Sequence, residues 1–396
     1  MEHITFLVTV VIITALAFDF TNGFHDTANA MATSISTGAL RPRVAVTIAA
    51  LLNFGGAFLS VQVAKTISGG IVHENSGISP AVVFAALIGA IVWNLATWRF
   101  GMPSSSSHAL YGGLIGAALI GAGTHAVDFG VVVTKIIIPL VASPIVAGIA
   151  AAAATWLARL ITRRTDETTS GTGFRAGQIA SSSLVSLAHG TSDGQKTMGV
   201  ITLTLVTCGA LPGGSTPPVW VIIAAGTAMA IGTYAGGWRI IRALGKGLTD
   251  IKPVQGLGAQ TAAGTVILAS SHMGFGLSTT QVCTGGILGA GVGGRTAINW
   301  SLVRRMVAAW CLTLPAAAVA GGLAELLART GTPGVVGVGV IGAAFAAWVY
   351  ASSRATKVTA GNVNTVAVDI PAGASAAVAG GLLPGTATTQ TLDSAA

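Results

Sequence analysis

The sequence predicts an all-α polytopic membrane protein made of two inverted structural repeats, with broken helices and two re-entrant hairpins. Three observations lead there. Hydrophobic residues are 52% of the 396 and charged residues only 8%, with a mean hydropathy of +0.77. A soluble domain carries about 25% charged residues, so this chain lacks the charge to cover a water-facing surface. Apolar runs of spanning length recur along it. The same polar insertion also appears twice inside such runs, Asn22-Gly23-Phe24-His25-Asp26-Thr27-Ala28-Asn29-Ala30-Met31 and His189-Gly190-Thr191-Ser192-Asp193-Gly194-Gln195-Lys196-Thr197-Met198.

At a constant offset of 167, the Gly, Asp and Met of the two insertions coincide. An Asp at the centre of a membrane helix costs about 2.5–3.5 kcal/mol on insertion scales. A chain with 12 acidic residues nevertheless places two of them this way. Such symmetry suits a transporter of two related halves whose site lies where broken helices meet.

The runs fall at about residues 4–22, 43–64, 81–98, 130–158, 179–211, 218–238, 257–272, 300–328 and 336–352. The first, Ile4 to Ala17, could pass for a signal peptide, but Glu2 and His3 stand where that would need Lys or Arg, so we read a retained helix. Two shorter Gly-rich runs, 103–123 and 276–294, follow hydroxyl clusters and read as re-entrant hairpins, tolerated where they line a cavity within protein. The resulting organisation is an N-terminal transport repeat over 1–158, a polar cytoplasmic linker over 159–178, a C-terminal transport repeat over 179–352 and a disordered tail over 353–396. The 54 glycines suit close helix packing.

The net charge of +8 comes from short Lys/Arg clusters between runs, at Arg41 and Arg43, Arg159 to Arg164 and Arg239 to Lys252. That matches the positive-inside rule and offers no long basic face for nucleic acid. Cys208, Cys283 and Cys311 share no metal-ligand spacing and read as small packing residues.

The repeat extends beyond the aspartates. Gly101-Met102-Pro103-Ser104-Ser105-Ser106-Ser107-His108 matches Gly274-Phe275-Gly276-Leu277-Ser278-Thr279-Thr280-Gln281 at offset 173. A third block pairs Asp128 with Asn299 and Pro144 with Pro315 at offset 171. Hydroxyls after Pro or Gly mark helix starts, and a helix N-terminus favours an anion. Ser105, Ser106, Ser107, Ser278, Thr279 and Thr280 therefore read as donors to a tetrahedral oxyanion, with His108 and Gln281 beside them. Hydrogen bonding between helices is the plainer use of such residues.

Gly23 and Gly190 permit a helix interruption three residues before each Asp. Freed carbonyls and the carboxylate would then hold a small cation or proton. Asp26 and Asp193 are the coupling-ion candidates; His25 either shuttles a proton or only hydrogen-bonds a carbonyl, and Asn29 and Gln195 read as ligands or as helix-contact amides. Lys196 either neutralises Asp193 at i, i+3 or attracts the anion. A carboxylate cannot hold an anion unless a cation or proton lies between them, so the aspartates take the coupling ion and the hydroxyls the anion. His189 pairs with Asn22 in the repeat, each equally compatible with site and scaffold. Asp19 has Ser186 at its repeat position and ranks lower. Asn53 and Asn94 read as interhelical hydrogen-bonding residues.

These blocks resemble the PiT family of inorganic phosphate transporters, whose signature looks like G-x-N-D-x-A-N in each half. Gly23-Phe24-His25-Asp26-Thr27-Ala28-Asn29 matches the first copy. His25 and Ser192 stand where sodium-coupled members carry Asn, a form similar to the bacterial low-affinity, proton-coupled branch. The resemblance runs from about residue 4 to 350. It implies alternating access by an inverted repeat in the bacterial inner membrane. It also implies symport of phosphate, or of a neutral complex with a divalent metal such as Mg²⁺, with protons. No permanently bound cofactor is implied, and a homodimer is compatible. A sodium-coupled symporter and a sulfate permease of the same family are the alternatives. A membrane-embedded enzyme would need a nucleophile or metal cluster with a base, and neither an H-x-x-x-H nor a D-x-D pair is present.

Overall fold

The computed structural model describes residues 6–71, 78–162, 167–354 and 357–364. The first half of the chain runs α1 (Phe6–Ser36), α2 (Pro42–Gly56), α3 (Gln62–Thr66), α4 (Pro80–Arg99), α5 (Ser106–Gly121), α6 (Phe129–Val131) and α7 (Ile138–Ile161). The second runs α8 (Glu167–Thr207), α9 (Val219–Ala235), α10 (Trp238–Arg242), α11 (Pro253–His272), α12 (Thr279–Gly294), α13 (Trp300–Ala328) and α14 (Thr332–Ser353). Among the described residues the only β-pairing is one bridge, Thr249 with Ile298. Helix starts follow local chemistry. Proline occupies the first turn of α2, α4 and α11, where its missing N–H costs nothing. Asp128 and Asn299, partners in the third sequence block, are side-chain N-caps of α6 and α13.

Five helical stretches among the described residues are long and apolar enough to cross a bilayer, or six with α9 and α10 taken as one span bent by 60°. The molecule is a multi-pass membrane protein, apolar on its outside. Ile149, Trp156, Leu312, Leu323, Ile341 and Trp348 are exposed, whereas Asp19, Asp26, Asp193, Lys196 and His189 are buried. That is the arrangement lipid requires, because polar groups there must be satisfied within the protein.

The halves pack as images of one another. α5 lies on α13 as α12 lies on α7, and α4 lies on α13 as α11 lies on α7. α1 packs on α9 as α8 packs on α2. Glycines set these approaches. A Cβ at Gly23 would strike the Met229 backbone, and one at Gly190 the Asn53 backbone. The same is true of Gly112 against Leu314 and Gly285 against Pro144. The structure also adds a repeat block too divergent to read in sequence, since α2, α3 and the wide turn Ile67–Ile71 correspond to α9, α10 and Ala243–Gly247 at offset 176.

Several expectations change. The helices are not interrupted at the aspartate motifs, for α1 and α8 run continuously through Asp26 and Asp193. Gly23 and Gly190 serve close packing instead. The Gly23 carbonyl is occupied by the Thr27 hydroxyl at 2.6 Å, so no freed carbonyl ligates an ion there. The breaks lie between α2 and α3 and between α9 and α10. The two Gly-rich runs are each one arm of a helix hairpin, whose other arm is α4 or α11. Both hairpins turn at a positive-φ glycine, Gly101 (φ 64°) and Gly274 (φ 70°), a conformation that favours glycine. Of the expected linker, residues 167–178 are the first turns of the 41-residue α8, and 163–166 lie outside the described residues. The expected tail begins with packed chain. Val363 is buried beside Ile240 and Ile241, the Asn364 amide donates to the Ile35 carbonyl at 3.1 Å, and Arg242 donates to Asn362. Residues 365–396 lie outside the described residues.

Candidate functional site

The site is assembled from the middles of α1 and α8 and the tips of the two hairpins. Each tip is an extended stretch ending in an N-cap. The Ser105 hydroxyl accepts from the His108 N–H at 3.2 Å, and the Ser278 hydroxyl accepts from the Gln281 N–H at 3.3 Å. Each cap is worth about 1 kcal/mol. Ser105 and Ser278 thus define where α5 and α12 begin, and the next residues face inward. Both tips are buried, so two helix N-termini, with their partial positive charge, converge inside the protein.

Asp26 sits between them. Its Oδ2 lies 2.6 Å from the Ser106 hydroxyl and its Oδ1 3.2 Å from that of Thr280, so donors from both halves reach it. His25 Nδ1 is 2.6 Å from Oδ1, and the far side of that ring meets Ser104 at 3.4 Å. Asn29 donates to the Thr280 hydroxyl at 3.0 Å, holding that donor in place.

Asp193 has the equivalent position with different company. Lys196 is paired with Asp193 Oδ1 at 2.5 Å. Its ammonium also donates to the Ser107 hydroxyl and to the Leu277 carbonyl at 3.3 Å, so one cation ties α8 to both hairpin tips. Thr279 approaches Asp193 Oδ2 at 3.4 Å. The contacts of Asp26 with Ser106 and of Asp193 with Thr279 are images, as are those of Asn29 with Thr280 and of Lys196 with Ser107. Lys196 and Asn29 share a repeat position.

His189 joins the halves. Its Nδ1 contacts Asn53 Oδ1 at 3.2 Å. Its Nε2 lies 3.5 Å from Asp193 and 3.9 Å from Asp26, without a hydrogen-bond partner. One ligand atom from each of Asp26, His189 and Asp193 falls within 4.8 Å of the other two, an arrangement with the donor chemistry for one divalent cation. The sequence left His189 and Asn22 undecided between site and scaffold, and the structure places both beside the two aspartates and the hydroxyls, Asn22 through its Oδ1 at 2.6 Å from Ser106. Their equivalence in the repeat was the available signal.

His108 and Gln281 are buried with no partner on any side-chain nitrogen or oxygen, one turn behind the hydroxyls. Gln195 is scaffold, since its Oε1 accepts from the Val63 N–H at 2.7 Å at the start of α3. Asn53 bridges helices as expected, donating to Thr233 at 2.8 Å. Asn94 is buried without a partner and makes no interhelical hydrogen bond.

Comparison with known proteins agrees with this architecture. The sequence profile described as "Phosphate transporter family" matches residues 22–321. A Mycobacterium leprae protein named "Probable low-affinity inorganic phosphate transporter" is 52% identical over 91% of this chain and 87% of its own. A Bacillus subtilis protein of the same name is 42% identical over 83% of this chain and 98% of its own. Among solved structures, one described as "The sodium-dependent phosphate transporter" superposes with a TM-score of 0.67, covering 82% of this chain and all of that one at 21% identity, a likeness of fold. These relatives are named as transporters and not as enzymes. With its matched aspartate and hydroxyl blocks, its membrane fold and these relatives, the chain belongs to the PiT phosphate transporter family.

Proposed function

We propose that this chain is a proton-coupled phosphate symporter of the bacterial inner membrane, carrying phosphate as the free anion or as a neutral divalent-metal complex. One observation carries the reading. Hydroxyls from two converging helix N-termini meet two buried carboxylates, and the same hydroxyls that would serve an anion now serve Asp26 and the Asp193–Lys196 pair.

That competition is a coupling device. Ser106 has a single hydroxyl hydrogen and two acceptors at 2.6 Å, Asn22 Oδ1 and Asp26 Oδ2. Both contacts close as hydrogen bonds if Asp26 carries a proton and donates it to Ser106 while Ser106 donates to Asn22. An ionised Asp26 draws Ser106 and Thr280 toward itself and repels an anion. Protonating it turns Asp26 into a donor to Ser106 and releases the Thr280 hydroxyl for phosphate. Formal charges point the same way, since Asp26, Asp193 and Lys196 together leave one negative charge before any anion arrives. A proton or a divalent cation must therefore accompany phosphate. A metal in the cargo would sit by Asp26, His189 and Asp193, and Ser107, Thr279 and Thr280 would take phosphate oxygens. With one hydroxyl cluster on each half, rocking of one half against the other would open the site to either side.

The reading is tested by labelled-phosphate uptake into proteoliposomes under imposed gradients of H⁺ or Na⁺, with and without Mg²⁺. A proton gradient should drive uphill uptake, and Mg²⁺ removal should slow it. Inside-negative potential should add about 2.3 kcal/mol per charge per 100 mV. Stimulation by Na⁺ at fixed pH, with none from a proton gradient, would return the protein to the sodium-coupled alternative.

A further inference from the structure

One buried acid has no part in the site described. Asp19 lies on α1, two turns before Asp26, fully buried, with neither carboxylate oxygen hydrogen-bonded. Thr197 on α8 and Asn22 one turn further along α1 are its polar neighbours, and neither closes a hydrogen bond to it. The Thr197 hydroxyl and the Asn22 amide nitrogen are themselves buried without a partner. Three buried side chains with unmet hydrogen-bonding capacity thus lie together where α1 packs on α8. A bare carboxylate in such a place is costly, so the pocket calls for a bound cation.

The pocket has no image in the other half. The repeat positions of Asp19 and Thr197 are Ser186 and Ala30, and Ser186 spends its hydroxyl on the Ser182 carbonyl at 3.0 Å. Scaffold shared by both halves would be duplicated, and this is not. The charged groups acting on Asp19 are Asp193 and Lys196 of α8. The buried faces of α2, α4 and α9, which pack on α1, carry no ionisable side chain. Those of α5 and α12 carry His108, Tyr111 and Cys283.

We propose that Asp19, Asn22 and Thr197 form a second proton-loading site, occupied in addition to Asp26 during each transport cycle. Asn22 connects the two. Its Oδ1 accepts from Ser106, which also reaches Asp26, while its amide nitrogen is buried without a partner beside Asp19. An ionised Asp19 draws that amide toward itself and shifts Asn22 away from Ser106. A protonated Asp19 leaves Ser106 in place. Loading at Asp19 thereby keeps Ser106 donating to Asn22 and leaves its oxygen to accept from a protonated Asp26. The inference rests on the reading of this site as a proton-coupled phosphate site.

Two measurements test it. The first is infrared difference spectroscopy of the purified protein, with and without inorganic phosphate. A protonated-carboxyl C=O band should change on phosphate addition, vanish in Asp19→Asn and shift in Asp19→Glu and Thr197→Val. The second is the charge moved per phosphate in proteoliposomes, which should fall by one elementary charge in Asp19→Asn. If Asp19→Asn does not fold or transport, the Asp19→Glu and Thr197→Val spectra decide. A band insensitive to phosphate, or unmoved by every Asp19 variant, makes Asp19 a static neutral residue and overturns the proposal. So does a charge ratio unchanged in an active Asp19→Asn, or a pocket that responds to Na⁺ in place of protons. Failure of the wild type to accumulate phosphate would refute the transport reading instead, with the infrared band still reporting on Asp19.

Discussion

Asp26 and Asp193 occupy one position in two copies of the same motif, and each meets an equivalent hydroxyl. What separates them is the residue one turn on. In the first half it is Asn29, a neutral amide that steadies Thr280. In the second it is Lys196, a buried cation that neutralises Asp193 and grips both hairpin tips. The first copy therefore keeps a carboxylate surrounded by groups that can exchange protons, His25 among them. The second copy holds a fixed ion pair. Duplication accounts for the shared geometry, and in the proposed symport the divergence at this one position divides the work between an exchanging acid and a stationary brace.

The sharpest way to break this comparison is to neutralise each acid. Asp26→Asn should abolish proton-driven accumulation while the protein reaches the membrane at a normal level. Asp193→Asn should also stop transport, for a different reason. It strands a buried Lys196, and losing one partner of a buried pair costs about 3–5 kcal/mol, so folded protein should fall in a thermal-shift or membrane-yield assay. Adding Lys196→Met to Asp193→Asn should restore yield without restoring uptake. Equal yields for both single variants would show that the two acids do the same job.

A smaller effect should come from the hydroxyls. Ser106→Ala and Thr279→Ala each remove one donor worth about 1–3 kcal/mol, roughly five- to 150-fold in half-saturating phosphate. Ser106→Ala should in addition alter the pH dependence of uptake, because Ser106 is bound to the exchanging acid. Thr279→Ala should leave that profile in place. Matching pH profiles would remove the distinction between the halves.

The smallest effects should be symmetric. Ser105→Ala and Ser278→Ala each delete an N-cap, costing about 1 kcal/mol, and should lower thermal stability alike. A much larger loss of phosphate affinity in one of them would mean that this hydroxyl faces the anion as well as capping its helix.

Truncation tests the packed segment after α14. Ending the chain after Thr356 removes Val363 from a buried cluster and should lower stability relative to a chain ended after Asn364. Equal stability of the two would show that Val363 adds nothing to that core.

Composition and the two duplicated blocks determined the membrane fold class, the two-part organisation and the choice of Asp26, Asp193 and the hydroxyl clusters. Those signals are local. An acid in an apolar run, or hydroxyls ahead of a Gly-rich helix, are informative without knowing their neighbours, because lipid makes their cost so high. Tertiary structure decided what depends on partners distant in sequence. Whether Gly23 breaks a helix or admits the backbone of α9 depends on what lies against it. The choice of Lys196 between bracing Asp193 and attracting an anion depends on where the Ser107 hydroxyl and the Leu277 carbonyl fall. His189 became central only when folding carried its ring between two acids 167 residues apart in the chain. The unmet carboxyl of Asp19 became visible for the same reason, since an absent partner can be recognised only once every neighbour is in place.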